Sequence, residues 1–348
     1  MPRRPLPVSL IVPFIVLFIL VPLVINRTTP PAENAAAGTY QLCFWNVENL
    51  FDDHLDNEAS KADREYDAWF AEDPAALRLK LDHLSEALTE LNDGKGPDIL
   101  ALAEVESVRA AELLQDALNG RLSDPALHYS HLLMKNANGG RHISTAILTR
   151  LPVEQDRTRL HGSRLRILEG HIIVNGHDLV VLATHWTSRV TNETGSAREK
   201  YGDQAYGVFR GMCMTNPKVD FLVCGDFNDP PEAPSVVGHL HATTNIQNVL
   251  DSHEYPALLN LFADKDPSAG WGTHYFGRQW FIFDQIAVSP GLLDSEGWSC
   301  DPQSARTINT LVRPGDRFRR PWRFGGKHEK GPRGYSDHFP VTVRLSVN

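Results

Sequence analysis

Four cysteines in 348 residues are too few for a disulfide framework, which excludes a small stapled secreted scaffold. Cys43 and Cys224 lie inside apolar strand-like runs and read as buried thiols, whereas pairing of Cys213 with Cys300 stays open in an oxidising compartment. No Cys/His cluster has the spacing of a structural zinc site, and neither an internal repeat nor a low-complexity tract is present. Excess positive charge is also missing, since 34 Lys and Arg stand against 43 Asp and Glu for a formal net charge of −9. Residues 1–37 hold three Arg and one Glu, so the remainder carries −11. That balance argues against broad attraction to nucleic acid or anionic lipid, and a phosphate substrate must be held by local cations or a bound metal.

Long apolar runs are scarce. The one at the amino terminus, Val8–Ile25, spans 18 uncharged, mostly apolar residues behind Arg3 and Arg4. It reaches the lower limit for crossing hydrocarbon and exceeds the about 7 to 15 residues of a cleavable signal core. The nearest A-x-A match, Ala35–Ala37, lies well past it, which favours a retained anchor; Pro13 and Pro22 keep a cleaved signal open. Either way Arg3 and Arg4 stay inside and the remainder is extracytoplasmic, tethered to the membrane if uncleaved and secreted or periplasmic if cleaved. The chain divides into a signal-anchor or signal peptide at 1–28, a Pro- and Ala-rich tether at 29–38, and one domain at 39–348.

Within that domain, 42% hydrophobic residues over the chain are ample for a core, and strand-like and helix-like patterns alternate without a second linker. Leu42–Val47 reads as the first strand. A polar, mostly acidic loop runs to Asp73, and then Leu77, Leu81, Leu84, Leu88 and Leu91 mark one helix face behind an Asp73 cap and Pro74. Ile99–Ala103 reads as a buried strand, Val108–Leu118 as a helix, and His128–Met134, Thr145–Thr149 and Ile167–Val174 as strands. Asn175-Gly176 makes a tight hairpin into Leu179–Ala183. A helix at Ala197–Met214 leads to Phe221–Cys224, and Phe281–Phe283 supplies a late strand. Hairpins mixed with strand-helix units define an α/β domain with mixed sheets.

Six of these segments carry polar residues where a sheet meets its loops: Trp45-Asn46-Val47-Glu48, Ala103-Glu104-Val105-Glu106, Thr184-His185-Trp186, Gly225-Asp226-Phe227-Asn228, Phe283-Asp284-Gln285-Ile286 and Ser336-Asp337-His338. Any one Asp or Asn in such a place is commonly a turn former or helix cap; the recurrence gives the set its weight. Carboxylates and amides held at fixed separations suit Mg²⁺ or Mn²⁺, and histidines among them suit proton transfer near neutral pH. Glu106 reads as a solvent-facing or capping residue, and Asn49 and Asp229 as turn residues.

In wording and order these six segments resemble the endonuclease/exonuclease/phosphatase family. The resemblance implies a four-layered α/β sandwich, two mixed sheets packed between helices, and divalent-metal hydrolysis of phosphodiester bonds. It implies Asn46, Glu48, Glu104 and Asp337 around the metal, with Glu104 the main carboxylate and Glu48 a helper. It further implies His338 for proton transfer oriented by Asp284, Asp226 for the attacking water, Asn228 as a donor to phosphoryl oxygens, and His185 for transition-state charge.

Arg141 and Arg189 are candidate phosphate contacts, against the simpler reading of solvated loop arginines. Residues 313–333 hold eight Lys or Arg with Phe318, Trp322 and Phe324, a basic aromatic patch directly before Ser336 that can either hold a polyanion or pack onto the domain. The stretch from Asp52 to Asp73 has the opposite sign, with nine acidic residues against Lys61 and Arg64, and reads as a solvated loop. The expectation is an extracytoplasmic monomeric nuclease, with nucleic acid favoured over lipid mainly by the family resemblance and the basic aromatic loop, and in small part because no long apolar hairpin is evident after the tether. A sphingomyelinase-like or small-molecule phosphoesterase is the alternative, and an inactive anchored binding module is the alternative of another class.

Overall fold

The computed structural model describes Met1 and residues 38–348, apart from 57–59, 137–139, 163 and 253. The apolar run Val8–Ile25 and the tether up to residue 37 lie outside the described residues. Among the described residues no helix is long and apolar enough to cross a membrane.

In chain order the strands begin with β1 (Gly38–Leu50), β2 (Ile99–Val105), β3 (His131–Met134), β4 (Ser144–Thr149) and β5 (Arg159–Leu160). There follow β6 (Arg166–Val174), β7 (His177–His185), β8 (Asp220–Asp226), β9 (Ala242–Thr243) and β10 (Leu258–Asn260). The last are β11 (His274–Phe276), β12 (Gln279–Phe281), β13 (Asp284–Val288), β14 (Trp298–Thr307) and β15 (Val341–Val347). The helices are α1 (Lys61–Glu72), α2 (Pro74–Thr89), a short tight turn α3 (Leu91–Gly94), α4 (Val108–Arg121), α5 (Ser196–Thr215) and α6 (Ile246–Asp251).

Two mixed sheets form, β14-β15-β1-β2-β4-β3 and β5-β6-β7-β8-β13-β10-β9, with β11-β12 as a separate hairpin. Period-2 alternation explains the layering. On β1, Leu42 and Phe44 turn inward to a core shared with Leu179, Val181 and Ala183 of β7 and Leu222 and Cys224 of β8. The alternate residues Cys43, Trp45 and Val47 turn outward onto Leu77, Leu84 and Leu88 of α2 and Leu114 of α4. On the far side, Val180, Leu182 and Val223 meet Tyr201, Ala205 and Phe209 of α5. The result is the four-layered sandwich of helices, two sheets and helices.

Several sequence-based expectations are corrected. The acidic stretch up to Asp73 is not a solvated loop but holds helix α1, capped when Asp63 N–H donates to Ser60 Oγ at 3.0 Å, with Asp63, Asp67, Trp69 and Phe70 buried. Its acidic surface masked an apolar stripe of only Tyr66, Trp69 and Phe70. The late strand shifts, because Phe281 ends β12 while Asp284 begins β13. All four cysteines are free, Cys213 in the α5 cluster and Cys300 beside the core between the sheets.

Candidate active site

Parallel pairing of β1 with β2 and of β7 with β8 brings their carboxyl ends to one edge of the sandwich. Asn46 pairs with Ala103 just before Glu104, and His185 pairs with Asp226. Antiparallel pairing delivers the other two segments to the same edge from their amino ends. Asp284 opens β13 directly opposite Asp226, and Asp337-His338 precede β15, which runs antiparallel to β1. A strand start and a strand end thus serve the same purpose.

Backbone irregularities aim the side chains. Between Asn46 and Leu50 strand β1 carries extra residues against β2, and Glu48 and Asn49 have φ of 52° and 58°. Glu104, with φ 63°, is an unpaired bulge residue in both of its ladders, and Asn228 has φ 51°. Left-handed φ at a residue other than glycine costs of order 1–3 kcal/mol and clusters where function demands a particular side-chain direction.

The Asn46 amide ties two carboxylates together, its Nδ2 donating to Glu104 Oε1 at 3.3 Å and to Asp226 Oδ2 at 3.1 Å. His185 Nε2 faces the same oxygens at 3.7 and 3.8 Å, and burial pushes this imidazole down to about 3, so it is neutral. Asp226 also accepts from Asn228, through the backbone N–H at 2.9 Å and Nδ2 at 3.1 Å, while Asn228 Nδ2 reaches Trp186 O at 3.1 Å. Burial raises Asp226 against the opposing pull of His338.

His338 Nδ1 lies 2.8 Å from Asp284 Oδ2, with Asp284 fully buried. Burial works against the imidazolium, yet the Asp284 and Asp226 carboxylates hold His338 well above its ordinary value. Thr273 Oγ1 accepts from the Asp284 N–H at 3.1 Å, and Ser336 bridges His338 N–H to Asn46 O. His338 Nε2 points towards Asp226, 3.8 Å from Oδ2.

These residues floor a cleft of about 880 Å³ lined by Glu104, His185, Asp226, Asn228, Asp337 and His338. Its walls include Arg189, Val190, Tyr275, Phe276, Arg313, Arg320, Trp322 and Arg323. The basic aromatic loop therefore divides its aromatics: Trp322 lines the cleft, Phe318 is exposed, and Phe324 is buried in the outer core against α1 and α2.

Four expectations need correction, the first being Glu106, which neither faces solvent nor caps α4, since it is buried and Ser107 is the cap. Arg141 does not line the cleft; it is spent on buried Asp63 at 2.7 Å and on Asn49 Oδ1. Glu48 is no free metal donor, because its carboxylate accepts from Arg323 Nε at 2.9 Å, Phe324 N at 2.8 Å and Gly325 N at 3.2 Å. Asp229 is more than a turn residue, since it pairs with Arg189 at 2.7 Å and with buried Arg198 at 2.7 Å. Arg189 does line the cleft.

Sequence reasoning missed His274 and Lys80. His274 stacks on His338 with ring centroids 4.2 Å apart, and its Nδ1 lies 2.8 Å from Asp337 O. Lys80 is fully buried behind the site, donates to Tyr335 O at 2.8 Å, and is pushed down to about 8 by burial despite Glu48 and Asp337 nearby. In sequence it stands three residues after Leu77 and four before Leu84, on the flank of the leucine face of α2, and that spacing was the available signal for its burial.

The donor chemistry fits a divalent cation. Asp337 falls in a group, His274-Asp337-His338, whose candidate ligand atoms lie within 4.8 Å of one another, while Glu104 is joined to Asp226 through Asn46 Nδ2. Three carboxylates, Glu104, Asp226 and Asp337, line the cleft beside Asn228 and no thiol lines it, which suits Mg²⁺ or Mn²⁺.

The chain belongs to the endonuclease/exonuclease/phosphatase family, whose model matches residues 41–347. Membership makes it a metal-dependent hydrolase of phosphoric esters. Similar solved structures include a family protein from Bacteroides thetaiotaomicron, 14% identical with a TM-score of 0.53, covering 90% of this chain and 100% of that one. TDP2 from Caenorhabditis elegans is 16% identical with a TM-score of 0.53, covering 89% and 75%. A beta toxin from Staphylococcus aureus with bound magnesium ions is 12% identical with a TM-score of 0.52, covering 88% and 99%. At these identities the likeness establishes the fold. No curated protein matches the chain by sequence.

Proposed function

We propose that the chain hydrolyses phosphodiester bonds in nucleic acid. The observation that carries this reading is the pairing of an acidic cleft floor with a wall of Arg313, Arg320, Trp322, Arg323 and Tyr275. In a protein of net charge −9 this is where cations and aromatics concentrate, so a polyanion with stackable bases fits here.

Glu104, Asn46 and Asp337 would hold Mg²⁺ or Mn²⁺, which when bound polarises the phosphoryl group or acidifies the attacking water. Asp226 orients the water and accepts its proton. Asn228, held by Trp186 O, would turn the Nδ2 hydrogen now given to Asp226 Oδ2 to a phosphoryl oxygen, and neutral His185 donates where charge develops. His338 donates from Nδ1 to Asp284 and, as the imidazolium, carries its second proton at Nε2, where it can pass to the leaving oxygen.

Export and tethering through Val8–Ile25 belong to the same proposal, as does action as a monomer. A second reading, a lipid headgroup, draws on Val190 and Phe276, which line the cleft yet are 73% and 43% exposed. The deciding experiment compares plasmid DNA, RNA, sphingomyelin vesicles and a generic phosphodiester. Cleavage of sphingomyelin but neither nucleic acid would replace the first reading by the second, and inactivity on all four would favour a binding module.

A further inference from the structure

We propose that Glu48 is a positioning residue that latches the basic aromatic loop, residues 313–333, onto the end of β1, and so sets the cleft wall that grips a polyanionic substrate. The role in substrate binding rests on the nucleic-acid reading above; the latch itself does not.

The geometry is that of a charged clasp. Glu48 is 3% exposed, and its carboxylate receives three hydrogen bonds, one from each of three consecutive residues of the loop. Arg323 donates through Nε at 2.9 Å to Oε1, with its Nη2 in ion-pair contact at 2.7 Å, Phe324 N–H donates to Oε2 at 2.8 Å, and Gly325 N–H donates to Oε1 at 3.2 Å. Charge-assisted bonds of this kind are roughly twice as strong as neutral ones, and both oxygens are engaged. Gly325 reaches the carboxylate from φ +79°, a conformation side chains resist.

On either side of the clasp the loop has separate work. Immediately before it come Arg313, Arg320 and Trp322, which line the cleft. Phe324 anchors the loop from beneath, packed over Trp69 and Phe70 of α1 and under the Lys80 ammonium 4.8 Å from its ring centre. Arg333 continues the seam, donating to Phe324 O at 2.8 Å. Within residues 313–333 the acidic contacts of the arginines are few: Asp316 holds Arg320, and Glu48 and Glu329 hold Arg323. A carboxylate two residues past Asn46 thus ties the loop to the strand that carries the catalytic edge, so loop order and cleft shape are set together.

Glu48→Gln keeps the shape and removes the charge. Its loop is read by limited trypsin digestion with mass spectrometry, scored at Arg317, Arg319 and Lys327, because Arg313 and Arg320 precede proline. Metal binding is read independently from the Mn²⁺ dependence of thermal unfolding. The expected result is cleavage at least tenfold faster than in the parent, with the Mn²⁺ midpoint moved less than threefold. On an oligonucleotide, the loss falls on KM, about tenfold upward, rather than on kcat. An Mn²⁺ midpoint raised tenfold or more with parental trypsin sensitivity would make Glu48 a metal ligand and overturn the latch. If Glu48→Gln does not fold, Arg323→Ala decides: faster loop cleavage supports the latch and parental cleavage overturns it. Faster cleavage in a protein that ignores every nucleic acid supports the latch while removing the nucleic-acid reading.

Discussion

Replacing Asp284 by Asn probes the ionic pair that gives His338 its direction. The carboxylate lies 2.8 Å from His338 Nδ1 and is fully buried, while His338 is 6% exposed, so water screens the pair little. Two unit charges about 4 Å apart at an effective dielectric constant near 20 attract by about 4 kcal/mol. At 1.36 kcal/mol per decade that energy corresponds to roughly 10³ in rate, inside the 10²- to 10⁴-fold range of a positioned acid or base. An amide can also offer its NH₂ to Nδ1, which moves the imidazole proton to Nε2 and leaves no charge behind. The Thr273 hydroxyl, accepting from the Asp284 and Phe283 amides at 3.1 and 3.0 Å, fixes the backbone in the variant as in the parent. The assay is kcat/KM on a generic phosphodiester at saturating Mn²⁺, with thermal unfolding as a fold control. A folded Asp284→Asn protein within threefold of the parent would refute the argument that this pair orients catalysis.

Glu104→Gln should cost at least about 100-fold in activity and shift the Mn²⁺ activation curve to higher concentration, since one carboxylate beside Asn46 is neutralised; an unmoved curve would free Glu104 from the metal. Asp229→Ala leaves Arg198, which is 2% exposed, without its carboxylate, and breaking a buried ion pair costs about 3–5 kcal/mol, so urea unfolding should show a loss of that order rather than one below 1 kcal/mol. Far from the cleft, both ring nitrogens of His171 face carboxylates, Asp178 at 3.0 Å and Glu169 at 3.0 Å, so the imidazole is held charged. Burial opposes that charge, but these two bonds raise His171 above 6.5; burial likewise opposes Glu169, which His161 and His171 nevertheless pull from 4.5 down to about 2. The raised histidine stabilises fully below its ordinary 6.5 and the lowered glutamate fully above its ordinary 4.5, so the cluster contributes most between those values. The Tm difference between parent and His171→Gln should therefore shrink as pH rises through the raised histidine value and as pH falls towards 2; a difference independent of pH would contradict it.

The sandwich was legible in the sequence because its inner strands are short apolar runs with polar ends, and because the leucines of α2 and the Asn175-Gly176 turn follow simple periodicity. Helix α1 was not, since a stripe of three aromatics is hidden among charges. β14 was not either: its pattern from Trp298 to Thr307 breaks at a register shift between Asp301 and Arg306. In the site, the six polar segments come together, although Asp284 opens its strand instead of closing one. What escaped was partner choice. Nothing local distinguishes Glu48, whose acceptors meet Arg323 and two amides 275 and more residues away, from a metal carboxylate. Arg141 looked like a loop cation and is the counter-ion of buried Asp63. His274 and Lys80 lie outside the motifs and gain their surroundings only when the β11-β12 hairpin and the basic loop fold over the sheet edge.

The central claim is metal-dependent phosphodiester hydrolysis at the edge where β1, β2, β7, β8 and β13 meet. Its most direct test is hydrolysis of a single-stranded oligonucleotide by the full chain with Mg²⁺ or Mn²⁺, with and without excess chelator, alongside His338→Ala. The account predicts cleavage that chelator abolishes, that added metal restores, and that His338→Ala slows by about 10²- to 10⁴-fold. Cleavage that continues undiminished in chelator, or at the parental rate in His338→Ala, would contradict it.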